Sequence, residues 1–370
     1  MNDEELLYLL ALVHTPNIGD VHSRTLLQHF HSAKDIFSAP SSRLEKMDGI
    51  GTIRAKSIKQ FSDFKKCERE IKFIRKEKII PLCWNAPGYP KRLTHCHDAP
   101  VLLFYKGTVD LNEDKFISIV GTRNNTSYGK KFCEKLLNEI SCYNAVVVSG
   151  LAYGIDSIVH KICVASHIPT IGVLAHGLDR IYPDSNRGLA MDMVECGGLI
   201  TPFRSGTTPE KQHFPNRNRI TAGICDALIV IETGMKGGSL ITARLASDYH
   251  KEIFALPGRF DEEKSSGCNH LIKTNQASLI TSADDIIEAL QWKKEKKESG
   301  ESSLQKSLFP KLEPNEMKLM DILKENKMSD IDSLMYASNL SYGTIASALL
   351  NLELNGLVRS LPGKSYALVS

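Results

Sequence analysis

Between residues 116 and 280 short apolar runs alternate with longer amphipathic stretches. Residues 116–120 (FISIV), 145–148 (AVVV), 170–174 (TIGVL), 227–231 (ALIVI) and 252–256 (EIFAL) are nearly unbroken in aliphatic character, and 277–280 (ASLI) continues the series. A strand with one wet face alternates apolar and polar residues, whereas a parallel strand covered on both faces reads as a continuous apolar run. Each of the first five runs is followed by a glycine-containing loop and a helix-length stretch, the first of these over residues 127–140. The pattern predicts an α/β fold built on a Rossmann-like, doubly wound, mostly parallel sheet.

The flanks have other periods. In residues 1–65 the segment Asn17-Ile18-Gly19-Asp20-Val21-His22-Ser23-Arg24 lines up with Gly49-Ile50-Gly51-Thr52-Ile53-Arg54-Ala55-Lys56. In each copy a glycine turn opens a helix whose first turn carries a base, which predicts a helical, helix-hairpin-helix-like domain. Two uses of the repeat stay open: a phosphate-binding module, or a bundle that needs glycine only to turn. Residues 66–115 bring a helix into a strand (KFIRKEKIIPLCW), a turn at Pro87-Gly88-Tyr89-Pro90 and the apolar VLLFYKG. The Rossmann-like domain is placed at 66–292 with its core at 115–290. Residues 293–314 are charged and apolar-poor and read as a linker. Residues 315–370 carry helical patterns at 316–326, 330–338 and 342–355, then a hairpin with a Pro-Gly-Lys turn, the order of a winged helix. Ile345, Leu349, Leu350 and Leu352 would form the buried face of the last helix.

Composition narrows this picture only a little. A chain of 370 residues is long enough for two or three domains. Its net charge of +3 neither requires nor excludes nucleic acid. The nine cysteines are scattered without a CxxC pair, so neither a disulfide framework nor a zinc site is expected. Cys83 with His95, Cys96 and His97 is the nearest approach to a metal cluster, and its spacing does not converge on one ion. The acidic start MNDEELLYLL and the lack of a long apolar window argue against a leader or a membrane span, so a cytoplasmic location is expected.

Candidate chemistry gathers where strands end. Gly121-Thr122-Arg123, the loop 149–154 (SGLAYG), His176-Gly177-Leu178-Asp179, the loop 234–239 and Pro257-Gly258 all follow apolar runs. In an open parallel sheet these loops lie on one rim, where ligands bind. They would form one composite site lined by backbone N–H groups and helix starts suited to phosphate. Between residues 204 and 219 stand Arg204, Lys211, Arg217 and Arg219 against Glu210, with Arg123 projecting from the first loop. The stretch HFPNRNRITAG (213–223), with its Phe-Pro corner, reads as a loop forming one wall of that site. Several cations around an aromatic suit a single strand, with phosphates on the bases and a nucleobase stacked on Phe214. In the alternative, Phe214 anchors the core and the arginines pair with acids such as Asp226 and Glu232.

Enzymatic readings find less support. Residues 121–126 (GTRNNT) are not GxGxxG, no acid marks the end of the second strand, and no P-loop is present. Glu232 and Asp156 lie at strand ends as possible acids or bases, but an N-terminal helix role explains Asp156 more simply. No catalytic residue, metal or cofactor is expected.

The succession IVGTR, VSGLAYGID, GLDRIYP, KQHFPNRNRI, VIET with GGSLIT behind it, LPG and SGCNHLI, over residues 80–290, resembles the DprA/Smf family of bacterial DNA-processing proteins. The resemblance implies binding of single-stranded DNA without catalytic turnover, and dimerisation through the Rossmann-like domain, with a face around residues 269–279. It also implies loading of the recombinase RecA, during natural transformation and recombination, onto strands covered by single-strand-binding protein. By the same resemblance Gly121 and Arg123 belong to the first glycine loop, and Lys211 and Phe214 are the lysine and aromatic of the binding pocket. Asn216, Arg217 and Arg219 belong to the signature beside them, and Gly238 and Ser239 to the loop that closes the pocket. Two departures stand out: Tyr153 occupies a position that is basic in many members, and residues 201–204 (TPFR) lack the usual Ser-Glu pair. A second resemblance, to nucleoside monophosphate phosphoribohydrolases with their PGGxGTxxE loop, is weaker, because residues 232–242 (ETGMKGGSLIT) lack the downstream acid.

Overall fold

The computed structural model describes residues 1–30, 32–84, 86–293, 313–326, 328–354, 357–361 and 365–368. The expected linker at 293–314, apart from its end residues, and the Pro-Gly-Lys turn lie outside them. Contacts divide the chain into two compact units, residues 1–297 and 298–370.

The first unit is organised by a nine-stranded sheet. In chain order its strands are β1 Ile80–Cys83, β2 Leu102–Gly107, β3 Phe116–Gly121, β4 Val146–Ser149, β5 Thr170–Val173, β6 Gly198–Thr201, β7 Ala227–Ile231, β8 Glu252–Ala255 and β9 Ser278–Leu279. In space they run β1-β2-β6-β5-β4-β3-β7-β8-β9. Pairing is parallel from β6 to β9, with Ser118 opposite both Val148 and Leu228, and β2 and β1 add an antiparallel edge. All six apolar runs read from the sequence are strands. β6 went unread because its four residues include Gly198 and stand between Gly197 and Pro202, yet all four are buried.

The central strands are buried at nearly every position, and successive side chains enter opposite faces of the sheet. Val146, Val148, Leu228 and Val230 pack on one face with Ile220 and Ala243 of two covering helices. Ile117, Val147, Ala227 and Ile229 pack on the other with Phe132, Leu136 and Val159. An ion pair ties the strand starts together: Arg92 holds Asp226 at 2.6 Å, and Asp226 also accepts from the Phe116 N–H at 2.8 Å.

The front helices share a core with the antiparallel edge, where Leu6, Leu9 and Leu10 meet Val101, Leu102 and Phe104. Both of the repeat's arginines are committed to the chain itself. Arg54 donates to the carbonyls of Asn17 and Gly49 and Arg24 to that of Cys96, and Lys59, just after the repeat, donates to those of Phe37 and Ala39, whereas Lys56 is exposed. That arrangement favours the bundle over the phosphate-binding use.

The second unit contains helices Pro314–Asn326, Ile331–Ser338 and Tyr342–Leu354, and strands β10 Met328–Asp330, β11 Val358–Leu361 and β12 Ser365–Leu368 in the spatial order β10-β12-β11. Its core contains Leu319, Leu323, Leu334, Ile345, Leu349 and Leu352. Leu350, expected inside, is 57% exposed, and Ala348 is buried in its stead. Among the described residues no helix is long and apolar enough to cross a membrane, and no group of three or more potential ligands could hold a metal.

A fully buried and a partly buried histidine make stability depend on pH. His160 is fully buried with Nδ1 2.7 Å from the Thr170 hydroxyl, and burial pulls it down to about 3. His14 is pulled down to about 4 by burial, with the nearby Arg204 charge adding to it. Unfolded histidines near 6.5 take up protons that these folded ones refuse, so their contribution is complete above that value. It is lost as pH falls from about 6.5 toward 4 and 3, by up to about 1.4 kcal/mol per pH unit for each ring. Urea unfolding from pH 7 to 4 should show this decline, and His160→Gln should flatten it by about one proton. An unchanged slope in that variant would remove His160 from the account.

Candidate nucleic-acid interface

A parallel sheet opens a crevice where neighbouring strands send their chains to opposite faces. Here that point lies between β3 and β7, and a cleft of about 400 Å³ occupies it. Gly121, Thr122 and Arg123 after β3, Ala152 after β4, and Thr233 and Gly234 after β7 line it, with Gly237, Gly238, Ser239 and Thr242 across from them. The helix Gly238–Asp248 begins in this wall, and its N-cap, Gly237, makes no side-chain cap. Its first N–H groups and the positive end of its dipole favour an anion.

The stretch HFPNRNRITAG is a helix, His213–Gly223, rather than a loop. Pro215 is tolerated because it stands in the first turn, where a missing N–H removes no intrahelical bond. Helical spacing then separates the side chains. Phe214, Arg217, Asn218 and Thr221 stand at i, i+3, i+4 and i+7 and all line the cleft. Asn218 and Thr221 are absent from the sequence reading, and this spacing is the signal that would have found them.

The Phe214 ring is held by two cations, with the Arg123 Cζ 5.1 Å and the Arg217 Cζ 6.0 Å from its centroid. Arg123 is exposed, whereas Arg217 is only 5% exposed. The Arg217 Nη1 donates to the Val173 carbonyl at 3.1 Å, while its Nε and the Thr221 hydroxyl have no partner in the protein. Its guanidinium lies where Gly150 lacks a side chain: a Cβ there would meet Arg217 Nη1 at 1.5 Å and Asp156 Oδ2 at 2.6 Å. Burial pushes the Asp156 carboxyl up, against the pull of the Arg217 charge. Burial likewise works against the Arg217 charge, with Asp156 supporting it and Arg123 opposing it. The cleft thus holds a desolvated, under-partnered cation beside an exposed one, both resting on an aromatic face.

Other expected members lie elsewhere. Lys211 and Asn216 are exposed and do not line the cleft, and Tyr153, half exposed, follows the lining residue Ala152. Arg219 faces away from the cleft, pairing with Asp20 at 2.5 Å and donating to the Asp98 carbonyl at 2.8 Å, so it braces the front helices. Arg204 lies toward His14 and Asp63. The single composite rim divides accordingly. The loop His176 to Asp179 closes on residues 206 and 207, and Pro257-Gly258 lines a neighbouring cavity with Tyr128 and Glu232. Asp226 and Glu232 do not pair with the cleft arginines. Asp226 holds Arg92, and Glu232 accepts from Thr126.

Gly150→Ala should force the Arg217 guanidinium out of its seat and lower stability by about 1–3 kcal/mol in urea unfolding. An unchanged midpoint would mean that Arg217 does not fill that space.

The chain is similar to known proteins in sequence and fold. The family model for DNA recombination-mediator protein A matches residues 81–291, and that for the DprA winged helix domain matches residues 306–364. The DNA processing protein DprA of Streptococcus pneumoniae is 40% identical over 199 residues, covering 54% of this chain and 70% of that protein. Its counterpart from Bacillus subtilis is 37% identical over 277 residues, covering 74% and 92%. The X-ray structure of the Streptococcus pneumoniae protein superposes with a TM-score of 0.66 at 29% identity, over 79% of this chain and 99% of that one. The Helicobacter pylori protein, whose structure is described by a unique single-stranded DNA binding mode, gives a TM-score of 0.53 at 30% identity, over 58% and 96%. Because that match runs through the whole sheet and the loops that line the cleft, the chain belongs to the family of DNA recombination-mediator protein A, the DprA/Smf proteins.

Proposed function

We propose that the cleft between β3 and β7 binds the backbone of single-stranded DNA without regard to sequence, and that the chain carries out no catalytic turnover. The observation that carries this reading is the pair of guanidinium groups on Phe214, one exposed and one buried with an unpartnered Nε, opposite an uncapped helix start. A phosphate accepts from such donors, and the aromatic ring beside them offers a base a face to stack on. Lys211, exposed two residues before the helix, is suited to a flanking phosphate. The helix Tyr342–Leu354 carries no Lys or Arg, which favours the central cleft over the winged helix as the DNA contact.

The nucleotide-hydrolase reading fits the arrangement less well. Glu232 is 2% exposed and hydrogen-bonded away from the cleft, and Asp156 is buried against Arg217. As a family member the protein would deliver single strands, released from single-strand-binding protein, to the recombinase RecA. It would act as a homodimer joined at the β9 end of the sheet, a reading supported by the unpaired outer edge of β9 and by Leu279, 47% exposed. Leu279→Glu should convert a dimer to a monomer in sedimentation, and an unchanged mass would move the interface elsewhere.

Phosphate contacts displace counterions, so affinity for an oligothymidylate should fall steeply and linearly on a logarithmic salt scale. Arg123→Ala should weaken binding equally across sequences and lower the salt slope by about one. Phe214→Ala should cost about 1–3 kcal/mol of binding if a base stacks there. Affinity independent of salt would defeat the proposal.

A further inference from the structure

In a dinucleotide-binding sheet the ligand's phosphates sit at the start of the helix that follows the first parallel strand. The corresponding helix here is Ser127–Ile140, which follows β3. Its start already holds an anion from the chain. The Glu232 carboxylate accepts from the Thr126 N–H at 2.8 Å and from the Thr126 hydroxyl. That hydroxyl in turn accepts from the N–H groups of Tyr128 and Gly129 at 3.2 and 3.4 Å. The helix makes room for the carboxylate, since a Cβ on Gly129 would stand 2.6 Å from Glu232 Oε2.

The backbone of Glu232 is specialised as well. Its φ of +58° lies in the left-handed region that glutamate rarely adopts, and the side chain is 2% exposed. Its carbonyl accepts from the Thr122 N–H at 2.8 Å. One residue therefore grips residues 122–126 at both ends, by its main chain at Thr122 and its carboxylate at Thr126. Arg123, whose guanidinium reaches Phe214 in the cleft, lies between the two grips.

We infer that the Glu232 carboxylate is a built-in anion seated where a dinucleotide's phosphate would otherwise lie, and that it is the positioning residue that aims Arg123 at the cleft. The same residue thereby closes the Rossmann seat to nucleotide phosphates and moves anion binding across β3 to the Arg123–Phe214–Arg217 side. This inference rests on the single-strand reading above, and the two fail in different ways.

Glu232→Gly removes the carboxylate while suiting the left-handed backbone, and it leaves a hole beside the cavity lined by Thr126, Tyr128 and Pro257 through which a small carboxylate can enter. Full-length wild-type and variant proteins would be titrated with fluorescent oligothymidylate, replacing sodium chloride by sodium acetate at constant ionic strength. The variant should bind about tenfold more weakly in chloride, and acetate should restore most of that loss without changing the wild type. A folded variant with wild-type affinity in chloride, or a weakened one that acetate does not restore, would overturn the inference. Should Glu232→Gly fail to fold, Glu232→Gln decides, because it keeps the shape and loses the charge. Weaker binding supports the inference, and wild-type affinity overturns it. A wild-type protein that ignores the oligonucleotide would instead remove the DNA reading itself.

Discussion

Parallel pairing of β3 with β4 on one side and β7 on the other is the constraint from which the cleft follows. Because both neighbours run in the same direction, their connections must leave from one end and return over opposite faces. The crevice between them cannot be filled by either connection, and the backbone around it presents helix starts. The chain fills that crevice differently on its two sides. Toward Ser127–Ile140 its own Glu232 carboxylate takes the donors. Toward His213–Gly223 and Gly238–Asp248 the donors and cations are left open.

Arg217 shows what leaving them open entails. A guanidinium taken out of water needs nearly all its donors matched, and each unmatched buried group costs about 1–3 kcal/mol. The Asp156 charge supports it and Val173 accepts one bond, but Nε has no partner. The space that permits this arrangement exists because residue 150 is glycine. A phosphate oxygen in the cleft would complete the set, so the unbound protein keeps a cost that binding would offset. Arg123, exposed and resting on the same ring, can reach solvent anions first.

Most of the sheet was legible because burial on both faces leaves an uninterrupted apolar signature, and every run read that way is a strand. β6 escaped since its four residues begin at Gly198 and stop before Pro202, leaving only Leu199 and Ile200 as the bulky residues that make such a run visible. The site was legible in kind but not in detail. Phe214, Arg217, Arg123, Gly121, Gly238 and Ser239 do meet in one cleft, while Lys211, Asn216 and Tyr153 do not line it and Arg219 belongs to the contact with Asp20. The error came from reading Phe-Pro as a corner. As an extended loop, alternate residues of NRNR would share a face; as a helix, residues two apart diverge by roughly 200°.

The sequence by itself determined the parallel sheet, the family, and the rim on which binding groups would gather, since these depend on local apolar pattern and on motif order. Only the tertiary structure decided the roles of like residues. Arg204, Arg217 and Arg219 carry the same charge within sixteen residues, yet one faces the front helices, one is buried in the cleft and one clamps Asp20. Charge type is written in the chain, but the partner of a charge depends on which distant segment folding brings within a few ångströms of it.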